Sequence, residues 1–163
     1  MTIVVLFIAL AISIFTDIKD RKILNIVTFP AMIAGLTLNT ITYGWDGFLF
    51  SLLGLLTGLA LLIIPYALGG MAAGDVKLLM AIGALQGAAF TLGSFLYIAI
   101  IGGMIAFLIL VKQKELICTI RRILFSAQFR SLDGLNKNEL HHAFPYGVAI
   151  VLGTVCYSGV MFL

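Results

Sequence analysis

Two carboxylates carry most of the chemical content of this chain. Asp75 stands within Gly69-Gly-Met-Ala-Ala-Gly-Asp-Val-Lys77, between two strongly apolar segments, and Asp17 follows the first apolar stretch. A carboxylate at or inside a bilayer boundary costs about 2 to 4 kcal/mol even on lenient insertion scales, so a chain that keeps one there has a use for it. Glycines at 69, 70 and 74 remove side chains just ahead of Asp75 and let another backbone come close. Two carboxylates a few ångströms apart cannot both ionise comfortably, and such a pair can share a proton. That is the condition for water-based amide hydrolysis. The ionised acid takes a proton from water, while the protonated one hydrogen-bonds the scissile carbonyl and then helps the amine leave. Simpler uses stay open on the residues alone: Asp17 pairs with Arg21 at i+4 or caps a helix, and Asp75 is a helix-start acid near Lys77.

The elements that must position these acids are apolar. The chain has 163 residues, 62% of them hydrophobic and 10% charged, with a mean hydropathy of +1.18. Soluble domains carry about 25% charged residues, so the composition predicts an all-α, polytopic membrane protein built as one domain over 1–163. Apolar runs occupy Thr2 to Thr16, Ile23 to Tyr43, Phe48 to Leu68, Val76 to Val111 and Ala143 to Leu163. As one helix, the run from Val76 to Val111 would be about 54 Å long against a hydrocarbon core of about 30 Å. A turn within the polar and glycine cluster from Gly83 to Gly93 resolves this and brings the expected total to six transmembrane helices. Met1 to Phe15 lacks a basic n-region and leads to Asp17-Ile-Lys-Asp-Arg-Lys22 rather than a small-residue cleavage site, so it reads as a retained first helix.

Charge placement sets the orientation. With six spans and the amino terminus outside, loops at about 17–22, 69–77 and 112–142 share one side and hold all ten Lys and Arg residues. By the positive-inside rule that side is cytoplasmic, facing anionic inner-leaflet headgroups, and it puts Asp17 and Asp75 at similar depth. A single span over the long run would move six of the ten basic residues outside. The opposite loops hold Asp46 beside Trp45 and Tyr43, which suit an interfacial aromatic belt. Beyond Val111, apolar residues at Leu116, Ile117, Ile120, Ile123, Leu124 and Ala127 follow helical spacing, as in an amphipathic helix on the inner headgroups. Asp133-Gly-Leu-Asn136 reads as a turn.

Other polar residues have plainer roles. Lys77, two residues from Asp75, does not share its helix face and reads as a headgroup anchor. Asp20 reads as a solvated ion pair in a basic loop. Asn25 and Tyr146 suit either a hydrogen bond near the site or polar contact between helices. Gly54 and Gly58 have the spacing of close helix packing. Cys118 and Cys156 stand alone and His141-His142 point to different faces, so no metal, cofactor or disulfide framework is expected. No nucleic-acid partner is expected either.

Gly70-Met-Ala-Ala-Gly-Asp-Val-Lys-Leu-Leu79 resembles the G-x-G-D signature of the type IV prepilin peptidases, a family of intramembrane aspartic proteases. Asp17-Ile-Lys-Asp-Arg-Lys-Ile-Leu-Asn25 looks like that family's first-aspartate segment, an Asp followed by basic residues and then Ile-Pro-Asn. Pro145-Tyr-Gly-Val-Ala-Ile150 is similar to the Pro-Phe/Tyr-Gly start of its last helix. The motifs stand in family order from residue 17 to 150. Ala72 replaces the first glycine of G-x-G-D, adding a methyl, and Leu24 replaces the proline, loosening the start of the second helix.

The resemblance implies an inner-membrane endopeptidase that removes the short basic leader of prepilin-like proteins at the cytoplasmic face, usually after a glycine. It assigns catalysis to Asp17 and Asp75. It assigns shaping of the site or contact with substrate to Ala72, Gly74, Asn25, Pro145, Tyr146 and Gly147. Longer members carry a cytoplasmic insertion with two Cys-x-x-Cys pairs and also methylate the new amino terminus. This chain has no such pairs, so peptidase activity without methyl transfer is expected. From the residues alone, the competing class is a small transporter whose paired carboxylates relay protons or bind a cation.

Overall fold

The computed structural model describes residues 1–20, 23–112 and 146–162. Among the described residues the chain forms four helices and no strand: α1 (Thr2–Asp20), α2 (Asn25–Ala67), α3 (Ala73–Lys112) and α4 (Tyr146–Phe162). The first three are long and apolar enough to cross a membrane, and α4 is a shorter apolar helix. Satisfying backbone polar groups within each helix is what a lipid solvent demands.

Neither α2 nor α3 is continuous. A straight helix of 43 residues would run about 65 Å. Its path breaks at Gly44 (φ 63°, ψ −136°), and that of α3 breaks at Gly87 (φ 82°, ψ 175°). Both lie in the left-handed half of φ, which glycine enters without steric cost. At Gly44 the chain doubles back: Asn39 Nδ2, before the break, donates to Ser51 Oγ, after it, at 2.8 Å. The break expected between Gly83 and Gly93 falls at Gly87, against the ring of Phe50.

Small residues set how the halves pack. Gly54 and Gly83 approach so closely that each meets the other's backbone, Gly58 lies on Leu79 and Met80, and Gly35 lies on Ala84. The pairs 54 with 83 and 58 with 79 fix an antiparallel register between the second half of α2 and the first half of α3. Asn39 also donates to the Ala84 carbonyl at 3.2 Å, and Ser51 to the Gly35 carbonyl at 3.2 Å, so a buried polar link joins both halves of α2 to α3. The second half of α3 runs antiparallel to α4, with Gly93 against Tyr157, Ile98 against Gly153, and Gly102 beside Tyr146 and Ala149. Leu6 and Leu10 of α1 join Leu62, Leu79, Ile82, Leu85 and Ile150 in the core.

The boundaries near the two acids differ from the expected loops. α1 continues through Asp20, and α3 starts at Ala73, so Asp17, Asp75 and Lys77 are all helical. Nothing in Thr16 to Asp20 breaks a helix, and charge alone does not end one. The expected surface helix at 116–127, the turn at 133–136, the histidine pair, Pro145 and Arg21 lie outside the described residues.

The start of α2 yields a stability prediction. Leu24 precedes it at φ −75° and ψ 132° with no side-chain cap, a conformation that proline also takes. Leu24→Pro is therefore expected to stabilise the fold by about 0.4 to 1 kcal/mol by restricting the unfolded chain. The check is a higher melting temperature for the detergent-solubilised protein; a lower one would mean that the link before α2 does not tolerate the ring.

Candidate active site

Asp17 lies near the end of α1 and is only 5% exposed. Its Oδ2 accepts the Val148 N–H at 3.2 Å, and the Gly147 N–H also bonds the carboxylate. These donors belong to the first turn of α4, where backbone N–H groups have no acceptor within their own helix. The positive end of that helix favours a carboxylate there as well. Asp17 is thus a helix cap, but for a helix 131 residues further along the chain rather than its own. The approach depends on Gly147, since a Cβ built at that position would lie 2.6 Å from Asp17 Oδ2 and 2.8 Å from Cγ.

Asp75 occupies the first turn of α3 and is also only 5% exposed. Its Oδ2 accepts the Ala72 N–H at 3.1 Å, while its own N–H donates to the Ala72 carbonyl at 3.1 Å. This is the returning half of a capping box, in which the third helical residue satisfies the N–H of the cap. The bond uses only the backbone of Ala72, so the methyl that replaces the family glycine does not enter it. Asp75 does cap its own helix, as the simpler use required, but it does so buried rather than in water. Gly74, just before it, lets the link between α1 and α2 lie directly on the first turn of α3: a Cβ there would lie 3.0 Å from Ile23 Cβ and 3.2 Å from the Ile23 carbonyl oxygen.

The two carboxylates come from different helices and stand within coulombic reach of each other. Tyr146, the first residue of α4, is within the same reach of Asp75, and its hydroxyl lies beside Gly102 of α3. Asp17, Ala72, Gly74, Asp75, Tyr146 and Gly147 therefore converge at one end of the bundle, whereas Pro145 falls outside the described residues. Asn25 bonds neither acid. Its Oδ1 accepts from Lys77 Nζ at 2.9 Å, and that ammonium also sits 5.1 Å from the centre of the Phe29 ring.

Sequence reasoning missed Val148, which contributes only a backbone N–H and so has no side-chain signature. It also missed the partner of Lys77. Spacing along α3 says which face Lys77 leaves but not what waits on α2. Chemically, the arrangement holds two buried acids within coulombic reach of each other, each with an oxygen fixed by backbone donors that cannot themselves titrate. Such a pair can hold and pass a proton while keeping its geometry.

A family model described as the type IV leader peptidase family matches residues 4–107. The matched stretch contains Asp17, Asn25 and Asp75 and ends before Tyr146 and Gly147. No curated protein and no solved structure matches the chain.

Proposed function

The chain belongs to the type IV leader peptidase family, and from that premise we propose that it is an intramembrane aspartic endopeptidase, with Asp17 and Asp75 as its catalytic pair. The observation that carries the proposal is the burial of two carboxylates from separate helices within coulombic reach of each other. One carboxylate, ionised, takes a proton from the attacking water, whose oxygen adds to the scissile carbonyl. The other, protonated, hydrogen-bonds that carbonyl oxygen and then delivers a proton to the departing amine. Anchoring through backbone N–H groups keeps both acids in place while protons move. No metal or cofactor takes part.

The substrate in this proposal is a prepilin-like membrane protein, cut at the cytoplasmic face of the inner membrane between its basic leader and its apolar helix. The proposal takes six crossings with the amino terminus outside. Its support is that the breaks at Gly44 and Gly87 divide α2 and α3 into halves and that, among the described residues, Lys19 lies near the end of α1, Lys77 near the start of α3 and Lys112 at its end. Methyl transfer is not part of the proposal, since the cysteines stand singly at 118 and 156. The transporter alternative draws no support from a family of peptidases.

The test is coexpression with a membrane-anchored probe whose short basic leader ends in glycine ahead of an apolar helix. A shortened product whose new amino terminus follows the glycine is expected with the wild-type chain. No cleavage, or cleavage that persists in the Asp17→Asn/Asp75→Asn double variant, would overturn the proposal. Ion flux without cleavage would point to the transporter.

A further inference from the structure

We propose that Lys77 is a positioning residue, clamping the start of α2 to the first turns of α3 and thereby setting where Asp75 stands relative to Asp17. The proposal rests on the peptidase assignment for its consequence, though not for its geometry. Lys77 Nζ donates to Asn25 Oδ1 at 2.9 Å, across 52 residues of sequence. Asn25 is the first residue of α2, and Phe29 lies one helical turn later on the same face, with its ring centre 5.1 Å from the ammonium. Both groups that hold Lys77 therefore belong to the opening turns of α2.

The same region of α3 is gripped a second time. Ile23 sits on Gly74, so the chain just before α2 rests on the residue just before Asp75. Gly74 and Lys77 thus engage Ile23 and Asn25, and Asp75 lies between the two contacts along α3. The consequence reaches Asp17 through the covalent chain. Only residues 21–24 separate the end of α1 at Asp20 from the start of α2, a tether of at most about 18 Å. That length limits how far the end of α1 can move from the clamped start of α2, while Asp17 itself is seated on the amino terminus of α4. On the exposed face of the bundle the ammonium is engaged by an amide oxygen and an aromatic face, which a free headgroup anchor would not be.

The experiment compares wild type with Lys77→Met, Lys77→Arg, Asn25→Leu and the Lys77→Met/Asn25→Leu double variant on the leader probe. Misplacement by about 1 Å costs about 100-fold in rate. Lys77→Met is expected to lower kcat by about 10- to 100-fold while KM stays within about threefold. Asn25→Leu should do the same, and the double variant should be no worse than either single change, because both remove one contact. Lys77→Arg should recover most of the rate.

A second readout needs no catalysis. In a Cys118→Ser/Cys156→Ser background, Asp17→Cys and Asp75→Cys are bridged in membranes by a short bifunctional thiol reagent, with Lys77 intact or changed to Met. The bridged fraction is expected to fall severalfold without Lys77. An unchanged fraction would overturn the clamp. So would a rise in KM alone, which would make Lys77 a contact to substrate, or unchanged kinetics, which would make it a headgroup anchor. If the wild type cleaves nothing and bridging still depends on Lys77, the clamp stands and the peptidase proposal fails.

Discussion

Asp17→Asn and Asp75→Asn are each expected to accumulate in the membrane like the wild type and to cleave the leader probe about 100- to 10,000-fold more slowly. Asparagine has nearly the shape of aspartate, and its amide oxygen accepts the same backbone N–H. At position 75 that donor is Ala72, and at position 17 the donors are Val148 and Gly147. The caps of α3 and α4 are therefore kept. What is lost is the ability to take a proton from water or to return one to the amine, a contribution of about 100- to 10,000-fold for a positioned acid or base. Because the two acids act as one unit, the double variant should be no slower than either single one.

Asp75→Ala makes the contrast. It should be equally inactive and also less stable by about 1 kcal/mol, because the Ala72 N–H at the start of α3 loses its cap. Time courses of product on a gel, alongside melting temperatures in detergent, separate the two effects. If Asp75→Asn cleaved within tenfold of the wild-type rate, Asp75 would be a helix cap and nothing more.

The acids themselves were legible in the sequence because a carboxylate in apolar surroundings has a large cost that something must offset. The break at Gly87 was legible for a related reason: the run from Val76 to Val111 exceeds the thickness of a bilayer, so a turn inside it is a geometric necessity. The fold-back at Gly44 showed as a gap between apolar runs, though not as a buried link from Asn39 to Ser51. Contacts made by backbone groups of distant segments left no mark. Nothing in the residues around Asp17 indicates that its partners are the N–H groups of Gly147 and Val148, since every residue but proline carries that donor. Lys19 and Asp20 read as loop because they are charged, yet a helix end facing water takes charges without strain, and α1 runs through both. The same limit hid the role of Lys77. Spacing fixes direction along its own helix, and the identity of the neighbour follows only from the register between α2 and α3.

Gly147→Ala is expected to lower kcat by about 100-fold without weakening the fold. The added methyl would stand 2.6 Å from Asp17 Oδ2 and 2.8 Å from Cγ, well inside contact distance, so either the carboxylate swings away or the start of α4 withdraws. Both movements stretch the bonds from Gly147 and Val148 and shift the acid relative to Asp75. Helix propensity acts in the opposite direction, because alanine is favoured over glycine by about 1 kcal/mol inside a helix. Activity and stability should therefore separate, which a general packing defect would not produce. Gly159→Ala supplies the comparison: it lies on the same helix with nothing among the described residues within 4 Å of the added Cβ, so it should gain the propensity and keep the wild-type rate. Kinetics on the leader probe and melting curves for both variants decide the matter. A Gly147→Ala protein that cleaves at the wild-type rate would show that the seat of Asp17 on α4 is not part of the chemistry.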